Sequence, residues 1–180
     1  MYTKLKETPG DGACLFNAVA FGLLFYTNQK TSTKNIIKLG EILRNLTVKH
    51  LIEKSTKNRN FKTVLAISYQ DESNKSTKSL KSNDINTLAN KYIKSMKKSS
   101  TWGGNFEAEI LNKIVKTMYD FRGIRIIDEN TNENIKFMSG SVKNKASYPL
   151  IHIALSNVNQ GGCHFSFVIQ QARSGRRKSN

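Results

Sequence analysis

The sequence predicts an α+β domain, with one small central β-sheet flanked by helices. Apolar residues recur at helical spacing through the first two-thirds of the chain, and strand-like alternation is confined to the last third. At 180 residues, 38% of them hydrophobic, the chain is long enough for one domain with a sizeable core.

Residues 1–10 read as an extended lead-in that closes on a turn at Thr8-Pro9-Gly10-Asp11-Gly12. A first helix starts near Cys14. Leu15, Phe16, Val19, Ala20, Leu23 and Leu24 make it apolar nearly all round, so it belongs inside the core. Thr31 or Ser32 suits the cap of a second helix, about Lys34 to Lys54, with Ile36, Ile37, Leu39, Ile42, Leu43, Leu46 and Leu51 as its apolar stripe. Gly40 weakens that helix by ~1 kcal/mol relative to alanine. Residues 54–62, KSTKNRNFK, read as a polar loop, and residues 63–69, TVLAISY, read equally as a strand or a helical segment.

Residues 70–83 are polar and biased, the composition of a mobile loop. Asp84 suits the cap of a helix through Ile85, Leu88, Tyr92, Ile93 and Met96. Phe106, Ile110, Leu111, Ile114, Val115 and Met118 share one face of the next helix, and Gly123 is placed to stop it. Ile124–Asp128 alternates like a strand. Residues 130–134 suit a turn, 135–138 a further short strand and 139–147 a loop. Pro149–Leu155 and His164–Ile169 are the clearest strands, joined by a hairpin loop at 156–162. Residues 173–180 form a basic tail without apolar anchors, expected to be disordered.

The net charge is +16, enough to attract phosphate backbones, anionic membranes or acidic proteins. Its lysines are scattered, with small clusters at 94–98 and 173–178. No basic helix face or basic–aromatic strand accompanies them, so a nucleic-acid-binding domain rests on charge alone. No apolar run is long enough to span a membrane, and the first residues lack the apolar core of a secretory signal. Two cysteines, Cys14 and Cys163, and three histidines, His50, His152 and His164, are too few and too far apart for a disulfide framework or a structural zinc site. A reducing, cytoplasmic compartment is the expected setting.

The stretch Thr8–Ala18 puts a thiol where a turn becomes a helix. Helix N-termini stabilise a thiolate, because free backbone N–H groups and the helix dipole favour negative charge. Gly10 and Gly12 permit a sharp turn whose N–H groups would also receive an oxyanion. A general base is still needed. His164 has the best setting for it, opening a strand after a Gly-Gly loop. His152 lies between isoleucines and reads as buried, whereas His50 reads as exposed on a lysine-rich helix. On spacing alone an inert core cysteine and a structural histidine are the commoner cases. Trp102-Gly103-Gly104 reads as a packing anchor and tight turn. Glu107 fits either a helix-end role or a hydrogen bond to a nearby loop.

Taken together, three blocks resemble the ovarian-tumour (OTU) family of cysteine deubiquitinases. Asp11-Gly12-Ala13-Cys14-Leu15-Phe16-Asn17-Ala18 is similar to the family's nucleophile motif. Trp102-Gly103-Gly104-Asn105-Phe106-Glu107 is similar to its Trp-Gly-Gly block before a helix, and His164-Phe165 to its His-aromatic motif on the last strand. The likeness covers residues 8–28 and 100–170. Residues 30–100 match no motif and correspond to the family's variable helical arm.

The resemblance implies a papain-like OTU catalytic domain over residues 1–172. Cys14 would be the nucleophile and His164 the general base, with Asp11 tied to the catalytic centre by holding the Asp11–Cys14 loop. It implies no metal or cofactor, ubiquitin or polyubiquitin chains as partners, and a narrow cleft between the Cys14 helix and the His164 strand for the ubiquitin tail. Asp71, Glu72 and Asp84 are the arm's candidates to meet ubiquitin's basic face. One departure stands out. The family often orients the histidine with Asp or Asn two residues on, and this chain has Ser166. Ser166, or a substitute such as Asp11, Asn157 or Asn159, would take that role, or activity would be low. Two alternatives follow: a weak or inactive ubiquitin-binding module, and the basic nucleic-acid-binding domain. A lysine- and asparagine-rich chain suits a bacterial effector acting in a host cytoplasm, a viral protein or a protist enzyme.

Overall fold

A computed structural model describes residues 2–7, 12–72, 81–128, 148–158 and 162–170. Their elements run β1 (Tyr2–Glu7), α1 (Cys14–Tyr26), α2 (Thr33–Lys57), α3 (Arg59–Glu72), α4 (Ser82–Met96), α5 (Asn105–Met118), β2 (Gly123–Asp128), β3 (Leu150–Val158) and β4 (Gly162–Gln170). The expected α+β class holds. The four strands form one sheet in the order β1-β4-β3-β2, with β2 parallel to β3 and the other pairs antiparallel.

Helix α1 is the centre of the core. Leu15, Phe16, Ala18, Val19 and Ala20 are fully buried, and each large apolar side chain so buried contributes about 1.5–3 kcal/mol. Phe21 packs on Phe167 of β4 with ring centroids 4.9 Å apart. Gly22 lets the helix approach the sheet closely, because a Cβ there would lie 2.6 Å from Ile151 Cγ2 of β3. Helix α5 packs on β2, while α2 packs on α1 and carries α3 and α4.

Strand alternation divides the sheet. Phe165, Phe167, Ile151, Ile153, Ile124 and Ile126 belong to the main core with α1 and α5. Ile127, Ala154 and Val168 form a small separate cluster on the opposite face.

The arm differs from expectation in several places. Residues 54–62 are not a loop. Helix α2 runs to Lys57, and α3 starts at Arg59 after Asn58, whose Oδ1 accepts a hydrogen bond from Phe61 N at 2.9 Å. The ambiguous 63–69 segment is helical, within α3. Of the 70–83 loop, residues 70–72 end α3 and 82–83 begin α4, while 73–80 lie outside the described residues. Ser32 caps α2 as anticipated, its Oγ accepting from Asn35 N at 3.3 Å. Asp84 sits inside α4 rather than at its cap, with its carboxylate accepting from Lys81 N at 3.3 Å. Gly123 does not stop α5. That helix ends at Met118, Asp120 takes the positive φ of 54° after it, and Gly123 opens β2. His50 is half-buried rather than exposed, its Nδ1 lying 3.0 Å from Leu46 O. The strand expected at 135–138 and the basic tail at 173–180 lie outside the described residues.

Candidate active site

Cys14 is the first residue of α1 and is 1% exposed. The helix closes behind it at once, with Asn17 N donating to Ala13 O at 2.9 Å. No acidic side chain lies in the first turn to oppose negative charge on the sulfur, so the N-terminal dipole acts on it unopposed there. Gly12 enters the helix with φ of +87°, a backbone state that L side chains rarely adopt. A Cβ at Gly12 would also strike the backbone carbonyl group of Ser100. The turn before Cys14 is thus packed directly on the segment that leads into Trp102.

That segment continues the site. Gly103 lies against α1, where a Cβ would be 2.7 Å from Leu15 Cδ2. Glu107 is fully buried in the first turn of α5. Its Oε2 accepts from Gly104 N at 2.8 Å and its Oε1 accepts from Tyr92 OH of α4 at 2.9 Å. The glutamate therefore caps α5 and fastens α4 to it. Trp102 is 39% exposed, so it is not the packing anchor its sequence setting suggests.

His164 stands near the start of β4 and is partly exposed. The strand register brings it to the same end of the sheet as Cys14. Strand β1 runs antiparallel to β4 from Tyr2 opposite Gln170 to Glu7 opposite Ser166, so β1 ends where β4 begins. Cys14 follows seven residues after Glu7, and α1 then runs back over the sheet to place Gly22 at Phe167 and Ile151. From Cys14 to Gly22 is about 12 Å along a helix, and from His164 to Phe167 about 10 Å along a strand. Alternation puts His164 on the face of Ser166 and Val168, however, whereas α1 covers the face of Phe165 and Phe167. Any approach of the imidazole to the Cys14 sulfur is therefore around the end of the sheet and not across the α1–β4 interface.

Ser166 does not orient the imidazole. Its Oγ is fully buried and has no hydrogen-bond partner among the described residues. Ser156, opposite His164 on β3, donates instead to His164 O at 3.3 Å. Asp11 and Asn159 lie outside the described residues, as do the side chains of Asn157, Asp71 and Glu72. Asp84 is exposed.

The cavity at the start of α1, about 450 Å³, lies between α1, α2 and residues 97–99, lined by Ala13, Asn17, Ile37, Gly40 and Arg44 among others. It is not the cleft expected between the Cys14 helix and the His164 strand. No cluster of His, Cys, Asp and Glu able to hold a metal ion occurs among the described residues, and no helix among them is long and apolar enough to cross a membrane.

The sequence reading missed Arg44. This arginine is 5% exposed on α2, its guanidinium 4.3 Å from the centroid of the Phe16 ring. The buried face of α2 runs through Ile36, Gly40, Leu43, Arg44, Thr47, Val48, Leu51 and Ser55. A charged residue on that three-and-four spacing was the signal available.

His152 is buried on β3 beside Arg125 of β2. Burial chiefly, with the Arg125 and Arg122 charges adding and a backbone hydrogen bond at Leu150 opposing, lowers its pKa from 6.5 to about 4. The folded chain thus binds fewer protons here than the unfolded chain between those values. Stability from this group is complete above pH 6.5 and is lost as pH falls toward 4. Between pH 7 and 5 the loss is about 2 kcal/mol. Urea unfolding of wild type and His152→Leu over that range should show the variant losing less stability than wild type. Parallel pH dependences would contradict the assignment.

Comparison with known proteins identifies the family. The family model described as OTU-like cysteine protease matches residues 9–165. The chain belongs to the OTU-like cysteine protease family. Among solved structures it is similar to an OTU deubiquitinase from Wolbachia pipientis wMel, at TM-score 0.51 and 16% identity over 94% of this chain and 88% of that one. It is also similar to the viral OTU domain protease from Farallon virus, at TM-score 0.54 and 18% identity over 93% and 83%. At these identities the likeness establishes the fold. No curated protein matches the chain.

Proposed function

We propose that this protein is a cysteine deubiquitinase, cleaving isopeptide bonds between the ubiquitin C-terminus and lysine side chains. The observation that supports the reading is Cys14 at the N-terminus of a buried helix, with His164 near the start of β4, in a chain of a cysteine protease family. The Cys14 thiolate attacks the isopeptide carbonyl, and backbone N–H groups of the 11–14 turn receive the oxyanion. His164 takes the thiol proton and passes it to the departing lysine amine as the carbon–nitrogen bond breaks. Water then hydrolyses the thioester, releasing the ubiquitin carboxylate and restoring the thiol. Asp11 holds the turn. The Wolbachia protein of similar fold is an OTU deubiquitinase, which supports ubiquitin as the substrate class.

A second reading, an inactive ubiquitin-binding module, draws support from Ser166, whose buried hydroxyl engages nothing among the described residues. The two separate on a panel of ubiquitin dimers. Wild type should cleave at least one linkage and Cys14→Ala none. Binding without cleavage by wild type would favour the inactive module. The sources of the two similar structures, a bacterium and a virus, fit action in a host cytoplasm.

A further inference from the structure

Arg44 has no role in the reaction described so far, yet its side chain ties together two segments of the site. Its Nη2 donates to Gly12 O at 3.0 Å and to Ser99 O at 3.1 Å. Its Nη1 donates to Lys98 O at 2.9 Å, Thr101 O at 3.0 Å and Met96 O at 3.3 Å. The guanidinium thus bridges five carbonyl groups from two segments distant in sequence, the nucleophile turn and the loop between α4 and Trp102. Phe16, two residues after Cys14, forms the floor under it.

The consequence for catalysis follows from peptide geometry. A trans peptide is planar, with its C=O and N–H pointing in opposite directions. Fixing Gly12 O therefore fixes the direction of the Ala13 N–H, one peptide upstream of the peptide that joins Ala13 to Cys14. Gly12 alone cannot supply that rigidity, because glycine leaves its own φ and ψ free. The 97–101 loop cannot either, since it has no regular structure beyond its turns. A guanidinium is suited to the task, offering five N–H donors in a rigid plane, where lysine's ammonium offers three on a flexible stem.

We propose that Arg44 is the positioning residue of the nucleophile turn. It locks the Gly12–Ala13 peptide to the end of α4 and the 97–101 loop, so that Cys14 and the adjacent N–H groups are aligned before substrate arrives. This inference rests on the cysteine protease reading above, and deepens it.

The test is Arg44→Lys, which keeps the charge and loses the fork. Turnover of a ubiquitin isopeptide substrate should fall about 10- to 100-fold in kcat, with KM changed less than about threefold. The pH profile of Cys14 alkylation by iodoacetamide, followed by peptide mapping, should move to higher pH, because the misplaced turn stabilises the thiolate less. Leu65→Ala, a core truncation in α3 at a fully buried residue, serves as the control for general destabilisation. It should leave kcat and the alkylation profile within twofold of wild type at temperatures well below its Tm. Overturning results are an Arg44→Lys enzyme within twofold of wild type on both readouts, a loss carried wholly by KM, or a variant that no longer unfolds cooperatively. The last would make Arg44 a support of the whole fold instead of the turn. Alkylation needs no ubiquitin. A wild type that fails to cleave ubiquitin while Arg44→Lys shifts the alkylation profile would refute the deubiquitinase reading and leave the role of Arg44 standing.

Discussion

Cys14→Ala and His164→Ala should each lower kcat for isopeptide cleavage by about 1,000-fold or more, and the double variant should be no slower than the worse single one. A nucleophile and its base act as one unit, so removing either removes most of what both supply. Simple multiplication of the two losses would mean that the residues act independently. The experiment has particular force here, because β4 alternation puts His164 on the face away from α1. Coupling between them requires the imidazole to reach Sγ at the sheet's end, where β1 finishes and β4 begins. KM should stay within a few-fold in both single variants, since neither removes the surfaces that hold ubiquitin.

Gly12→Ala should be the most damaging conservative change away from the reacting groups. Two costs combine. The φ of +87° disfavours an L side chain by roughly 1–2 kcal/mol. The new Cβ also meets the Ser100 backbone, which cannot swing aside as a flexible side chain can, and overpacking of this kind costs about 1–3 kcal/mol. Together these predict a Tm lower by roughly 10 °C for a domain of this size. Activity should fall further than stability, because relief of the clash moves the turn that carries Cys14. A variant with wild-type Tm and turnover would contradict the packing of residue 12 on residue 100.

How much of this was readable beforehand varies with the kind of force that shapes each element. Helix α1 and strands β3 and β4 are set by burial, and their apolar patterns announce them. The 54–62 stretch misled because most of its side chains are exposed and its composition is that of a loop. The helix start there rests on one Asn58 side-chain bond, a signal carried by a single residue. Strand β1 reads only as extended chain because Tyr2–Glu7 alternates lysine with other types and lies at the sheet's edge, where lysine discourages further pairing. Among site residues, Cys14, Glu107 and His164 lie in short contiguous motifs. Arg44 acts across more than 30 residues on one side and more than 50 on the other, through backbone carbonyls that any sequence would provide. Contacts of that sort leave no motif.

The net charge of +16 carries no information about the catalytic turn. The turn's role is therefore best read directly at the sulfur. Incubation with a ubiquitin probe bearing a thiol-reactive C-terminus, followed by intact mass and peptide mapping, makes that reading. One added ubiquitin, attached at Cys14 and lost in Cys14→Ala, is the predicted result. No adduct on folded wild type, or an adduct at Cys163 with Cys14 untouched, would contradict the assignment of Cys14 as the nucleophile of a deubiquitinase.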